Sequence, residues 1–183
     1  DELVETTTSS GDEQIILASA KGQAVRFDET DVRPMGRDTM GVKGMTLNPG
    51  DYVISMAVVK PGDRLLTVSE NGYGKISDVD DYRQTRRGGK GVITIKTDER
   101  NGNVVSVRKV EIGDQLMVTS KSGKMIRIDT DEIRETGRNA KGVRIMDMRD
   151  GDKIIAVTPV SAEPTDAGPE PSEEVLLEET LRE

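Results

Sequence analysis

The chain has 183 residues, a formal charge of −8, and neither cysteine nor histidine. Those two absences exclude disulfides, thiol nucleophiles, zinc sites of the usual kind and histidine acid–base chemistry, and they fit a reducing compartment. No apolar run of about 18 residues and no charged-then-apolar leader is visible, so no membrane span or secretory signal is expected and a cytosolic location is the default.

In chain order, Asp1–Ser10 comes first and matches the last strand of a repeat, because Leu3, Ile54 and Val105 lie 51 residues apart, each just before a Gly-Asp pair. The chain thus starts inside a repeat and lacks an initiator methionine, which points to a piece of a longer protein with further copies upstream. Gly11-Asp12, Gly62-Asp63 and Gly113-Asp114 then open three repeats, about 12–61, 62–112 and 113–160. Each continues into a tight turn between two apolar runs: Lys21-Gly22, Asn71-Gly72 and Ser122-Gly123, with glycines 50 and 51 residues apart. Asn-Gly in that setting is a strong hairpin signal. A Gly-Val pair follows at Gly41-Val42, Gly91-Val92 and Gly142-Val143, with Arg37, Arg87 and Arg138 four residues before each glycine.

Four strands per repeat are predicted, most clearly in the last copy: Gln115–Ser120, Lys124–Asp129, Gly142–Met148 and Lys153–Val160. Ile126 and Ile128 alternate with Arg127, the period of a strand with one buried face. A four-stranded unit of about 50 residues is the period of a propeller-like blade, so the fold class is all-β. The tail, 161–183, carries three prolines, eight acids and one arginine. That composition predicts disorder, with Val175-Leu176-Leu177 as a short contact segment.

Charge is unevenly spread. The tail contributes −7 and residues 1–11 contribute −3, which leaves +2 on residues 12–160. Three equivalent 13-residue windows are more basic: Val32–Gly44 at +2, Tyr82–Thr94 at +4 and Ile133–Ile145 at +3. One basic position per blade would line one rim, the electrostatic footprint of a polyanion site. In RQTRRGGKGV (Arg83–Val92), Gly88 and Gly89 are expected to leave backbone amides open to a phosphate while Arg86, Arg87 and Lys90 neutralise it. The plain alternative is a soluble turn, and three basic loops in phase tell against it.

Other residue patterns exclude competing chemistry. Lys90 is followed by Gly91 rather than Ser or Thr, and Gly72-Tyr73-Gly74 has no third glycine at Ser77, so nucleotide binding is unsupported. Asp78, Asp80 and Asp81 lack metal-loop spacing and read as a solvated turn, and the eight methionines read as core and loop filler. Four aromatic residues, Phe27, Tyr52, Tyr73 and Tyr82, are too few for single-strand stacking platforms.

NGYGK (Asn71–Lys75), YRQTRRGGKGV (Tyr82–Val92) and NGNVV (Asn101–Val105) resemble the C-terminal domain of the DNA gyrase A protein. VRPMGRDTMGVKGM (Val32–Met45) and GRNAKGVRI (Gly137–Ile145) resemble its neighbouring repeats. The resemblance covers nearly all of residues 1–160. It implies a β-pinwheel, usually of six four-stranded blades, of which this chain would hold about three, the final strand of a preceding one and an acidic tail. It further implies a non-catalytic domain that bends duplex DNA around a basic perimeter and supports ATP-driven negative supercoiling by the whole enzyme. On this reading Arg83, Arg86, Arg87, Gly88, Gly89, Lys90 and Gly91 form the main DNA-contact loop. Arg33, Arg37 and Lys43, and Arg134, Arg138, Lys141 and Arg144, lie on its neighbours. No cofactor belongs to this segment, since ATP and Mg2+ act elsewhere in the enzyme. The implied partners are duplex DNA, the rest of the gyrase A protein, and the gyrase B protein in an A2B2 assembly, in a cytoplasmic, nucleoid-associated setting. One departure is visible: Thr85 separates Gln84 from Arg86 where the family's box reads Gln-Arg-Arg-Gly-Gly-Lys-Gly, so the strict box is expected upstream. The alternatives are a protein-interaction propeller, against which the lack of tryptophan and of repeated Gly-Gly pairs counts, and the equivalent domain of topoisomerase IV.

Overall fold

A computed structural model describes residues 3–160, and the acidic tail expected over 161–183 lies outside the described residues. Each repeat starts with a hairpin: β1 (Gln14–Ser19) and β2 (Gln23–Asp28), β4 (Arg64–Ser69) and β5 (Tyr73–Asp78), β8 (Gln115–Ser120) and β9 (Met125–Asp129). The tight turns fall where the sequence places them, because Gly22, Gly72 and Gly123 have φ of 77°, 89° and 86°, a region costly for side-chain-bearing residues. A single 3-10 turn closes each hairpin at Glu29–Asp31, Val79–Asp81 and Thr130–Glu132. Asp28 and Asp78 cap the first two of these by accepting from the amides of Thr30 and Asp80. The repeat ends with a long strand, β3 (Val53–Val59), β7 (Val104–Val110) or β11 (Ile154–Val160), antiparallel to the hairpin's first strand.

The fourth strand of the first two sheets is borrowed, and the third sheet has three strands. β6 (Val92–Ile93), from the second repeat, pairs with β2 of the first, and β10 (Val143–Arg144), from the third, pairs with β5 of the second. The sheets therefore run β3-β1-β2-β6, β10-β5-β4-β7 and β11-β8-β9. This corrects the expectation of a strand over Gly142–Met148 in its own blade: it has two residues and belongs to the neighbour. Its length is limited because the chain turns inward at once, burying Ile95 in one seam and Met146 in the other. Periodicity within a repeat cannot reveal the swap, since an identical pattern in every copy does not say which copy's hairpin is the partner. No strand forms over residues 3–10 or 41–46, both expected by repeat phasing; by the pairing seen for β3, β6 and β10 each would need a hairpin earlier than β1, and none lies among the described residues.

A smaller cluster of Val25, Phe27 and Met45 accompanies two cores that lie between sheets. One lies between the first two sheets, with Ile16, Ala18, Leu65, Val79, Tyr82, Ile95 and Val107; the other lies between the last two, with Leu66, Val68, Leu116, Val118, Ile128 and Ile154. Leu65 and Leu66 are both fully buried although they point to opposite faces of β4, so the middle sheet is covered on both sides. Each such side chain contributes roughly 1.5–3 kcal/mol on burial.

Candidate nucleic-acid interface

The loop between each 3-10 turn and its borrowed strand carries the basic window, and the swap lays that loop along the neighbouring repeat. In the first seam, Thr85 N donates to Arg26 O at 2.8 Å, Gly88 N to Gly44 O at 2.5 Å, and Thr46 N to Gly89 O at 2.8 Å. The expectation that Gly88 offers a free amide is thus corrected: adjacent loops must satisfy each other's backbone where they pair, and the Gly88 amide is spent there. Gly91 serves the same seam. A Cβ there would sit 2.1 Å from Ala24 O, and one at Gly142 would sit 2.6 Å from Gly74 O. The recurring Gly-Val pair is the point where one repeat threads onto the next.

Arg87 and Arg138 are staples. Arg87 Nε donates to Asp31 O at 2.9 Å and its Nη1 to Lys43 O at 3.1 Å. Arg138 repeats the pattern one seam on, with Nε to Asp81 O at 3.2 Å and Nη1 to Ile93 O at 2.5 Å. Each holds its own loop against the loop before it, so the three basic windows form one continuous ridge.

Along that ridge Arg33, Arg37, Lys43, Arg83, Arg86, Lys90 and Arg134 are exposed, and none has a carboxylate oxygen within ion-pair distance among the described residues. Lys141 pairs with Asp98 at 2.5 Å and Arg144 with Asp147 at 2.8 Å. The fourteen expected positions thus separate into seven unpaired cations, two paired ones, two staples and three glycines shaping the main loop. Tyr52 is exposed, Phe27 and Tyr82 are buried, and Tyr73 is half-buried beside a guanidinium. No set of three or more Asp or Glu positioned to hold a metal occurs among the described residues. Asp78 caps a turn, and Asp80 receives Arg26 at 3.1 Å.

Two buried cations beneath the ridge are absent from the sequence reading. Arg26 donates to Val79 O at 2.7 Å, to Tyr82 O at 3.1 Å and to Gln14 Oε1 at 2.6 Å. Lys75 is fully buried and donates to Gly137 O at 3.1 Å and to Arg138 O. Burial, reinforced by the nearby Arg138 charge, lowers its pKa to about 8. The available signal was a lone cation inside an apolar strand, in QAVRF (Gln23–Phe27) and GYGKI (Gly72–Ile76).

Comparison with known proteins places this geometry. The family model described as DNA gyrase C-terminal domain, beta-propeller, matches residues 13–60, 63–111 and 114–161. The DNA gyrase A protein of Haloquadratum walsbyi is 45% identical over 159 residues, which is 86% of this chain and 19% of that protein. The gyrase A protein of Staphylococcus epidermidis is 41% identical over 165 residues, 89% of this chain and 18% of that protein. This chain therefore spans about a fifth of the length of those relatives. A solved C-terminal domain of DNA gyrase A superposes with a TM-score of 0.75 at 35% identity, covering 81% of this chain and 50% of that one. The C-terminal domain of a topoisomerase IV superposes with 0.77 at 23% identity, over 82% of this chain and 47% of that one, a likeness of fold.

Proposed function

Because the chain belongs to the DNA gyrase C-terminal domain family, we propose that it binds and bends duplex DNA along its basic ridge, as a non-catalytic part of a gyrase A protein. The observation that carries this is the set of seven exposed cations without carboxylate partners on three loops held edge to edge by Arg87 and Arg138. Such a ridge meets phosphates without reading bases: it presents charge on loops, and no α-helix among the described residues stands ready to enter a groove. Bending a short duplex costs on the order of 1–6 kcal/mol, and contacts along a curved edge offset that. In the whole enzyme the bent segment would pass to the cleavage core, with ATP consumed elsewhere in an A2B2 assembly in the bacterial or archaeal cytoplasm. The identity to gyrase A proteins favours gyrase over topoisomerase IV as the parent enzyme.

The test is anisotropy of a labelled duplex of about 40 base pairs against salt, shorter than the ~150 base-pair persistence length. Seven phosphate contacts set a ceiling of about −6 on the slope of log K against log salt. Arg83→Ala/Arg86→Ala/Lys90→Ala, which spares the Arg87 staple, is expected to make that slope shallower by nearly three units. A folded chain that does not bind at low salt would overturn the reading.

A further inference from the structure

At the second seam the chain gathers two guanidiniums on one ring. Tyr73 opens β5 opposite Arg144 of the borrowed strand. Arg100 Cζ lies 4.2 Å from the Tyr73 ring centroid and Arg144 Cζ lies 5.7 Å from it. Arg144 Nη2 also donates to the phenol oxygen at 3.3 Å, and Arg100 Nη2 reaches Gly142 O, at the end of the third basic loop, at 3.4 Å. The loop carrying Arg100 is fixed there by Asn101 Nδ2, which donates to Lys141 O at 3.1 Å.

Like charges held this close repel, and the negative face of an aromatic ring offsets part of that repulsion. Asp147 neutralises Arg144, while Arg100 has no carboxylate partner among the described residues. The cluster therefore keeps a net positive charge beside the ridge, and the two guanidiniums lower the Tyr73 phenol's pKa, Arg144 most strongly. The first seam has Gln23 opposite Ile93 at the same place and no such cluster.

We propose that Tyr73 is a positioning residue that holds Arg100 and Arg144 as a two-guanidinium clamp for the phosphates of duplex DNA, with Asp147 occupying Arg144 until DNA replaces it. The proposal rests on the DNA-binding reading above and adds Arg100 and Tyr73 to it. With its face already covered by Arg100, the ring is not offered to an unpaired base.

The experiment measures duplex binding against salt for the intact chain and its variants, with urea unfolding of each as a control. Arg100→Ala is expected to make the salt slope shallower by about 0.9, and Tyr73→Leu by about 0.9–1.8, because loss of the ring releases one or both cations. Tyr73→Phe, which keeps the π-face, restores the greater part of that slope. Asp147→Asn tightens binding at fixed salt. Titration of the phenol, read as the phenolate absorbance difference between the chain and Tyr73→Phe, shifts to higher pH once duplex neutralises the guanidiniums. If the intact chain binds with a steep slope and Arg100→Ala and Tyr73→Leu leave it unchanged, the clamp is wrong and the ridge reading stands. If the intact chain does not bind, the ridge reading fails first and the clamp falls with it. Arg100 is exposed, so its variant keeps the test decisive even where Tyr73→Leu unfolds.

Discussion

At the seam between repeats 1 and 2 the buried cation is Arg26, held by two carbonyls, an amide oxygen and the Asp80 carboxylate. At the seam between repeats 2 and 3 it is Lys75, held by two carbonyls, with no carboxylate within 4.0 Å among the described residues. Both cations tie down the next repeat: Arg26 holds its 3-10 turn and the start of its loop, and Lys75 holds the middle of its loop at Gly137 and Arg138. The topology asks only for a donor at that depth. How its charge is neutralised is left to the sequence of each repeat, so one seam is a satisfied ion pair and the other an incompletely compensated charge.

The sharpest way to break this comparison is to block the thread that both seams share. Ala at Gly91 would place its Cβ 2.1 Å from Ala24 O, with φ at 75° adding strain. Gly91→Ala is expected to cost about 3 kcal/mol or more in urea unfolding, since backbone must move. Gly123, at φ 86° with nothing within 4 Å, gives the control: Gly123→Ala should cost only the left-handed penalty of about 1–2 kcal/mol. Equal losses at the two sites would show that the borrowed strand contributes little to stability.

Next in size is Arg26→Met. It leaves Tyr82 O without its donor, removes one of the two donors to Val79 O and takes the cation from Asp80, and a loss of about 3 kcal/mol is expected. Lys75→Met should cost clearly less, because removing an incompletely compensated charge relieves desolvation. Unfolding curves for the two variants in the same buffer decide it, and a larger loss at Lys75 would reverse the account of the seams.

How much of this was legible in the sequence depends on whether a feature repeats or differs between copies. The hairpins, the basic windows and the paired glycines recur at 50 or 51 residues, so their spacing alone exposes them. The strand swap was not legible, because every copy carries the same Gly-Val segment and the pattern is identical whether that segment serves its own hairpin or its neighbour's. Arg87 reads as a DNA contact for a related reason: composition places a cation on a loop, and only the distances to Asp31 O and Lys43 O show that two of its five N–H donors serve the seam. Lys75 and Tyr73 were hidden by belonging to one copy, where Val25 and Gln23 stand in the first repeat.

The incompletely compensated seam also predicts a pH dependence. Lys75 loses its proton near pH 8 when folded but near its ordinary value of 10.5 when unfolded. Between those limits the unfolded chain binds more protons, so stability should rise with pH, at most by about 1.4 kcal/mol per unit. Tyr73, whose phenol is lowered, adds to the rise below pH 10, and Tyr82, raised by burial, opposes it above that. The comparison with Lys75→Met, which keeps both tyrosines, therefore isolates Lys75 in the pH 8–9.5 window. Unfolding free energy measured across it should climb for the chain and stay flatter for Lys75→Met, and parallel curves would show that Lys75 keeps its proton in the folded chain and that burial does not lower its pKa.

The smallest effect on stability separates two adjacent arginines. Arg87→Ala removes a half-buried staple with two carbonyl partners and should cost about 1 kcal/mol. Arg86→Ala removes an exposed side chain without an ion partner among the described residues and should leave unfolding unchanged within about 0.5 kcal/mol. In duplex binding the ranking changes its meaning. On the proposed reading Arg86→Ala should take away one phosphate contact and lower the salt slope by about 0.9. Arg87→Ala should lower affinity with little change of slope, because what it loses is the alignment of two loops rather than a charge at the DNA. Were both variants to lower the slope equally, Arg87 would have to leave Asp31 and Lys43 when DNA binds, and the ridge would be assembled by its ligand instead of standing ready for it.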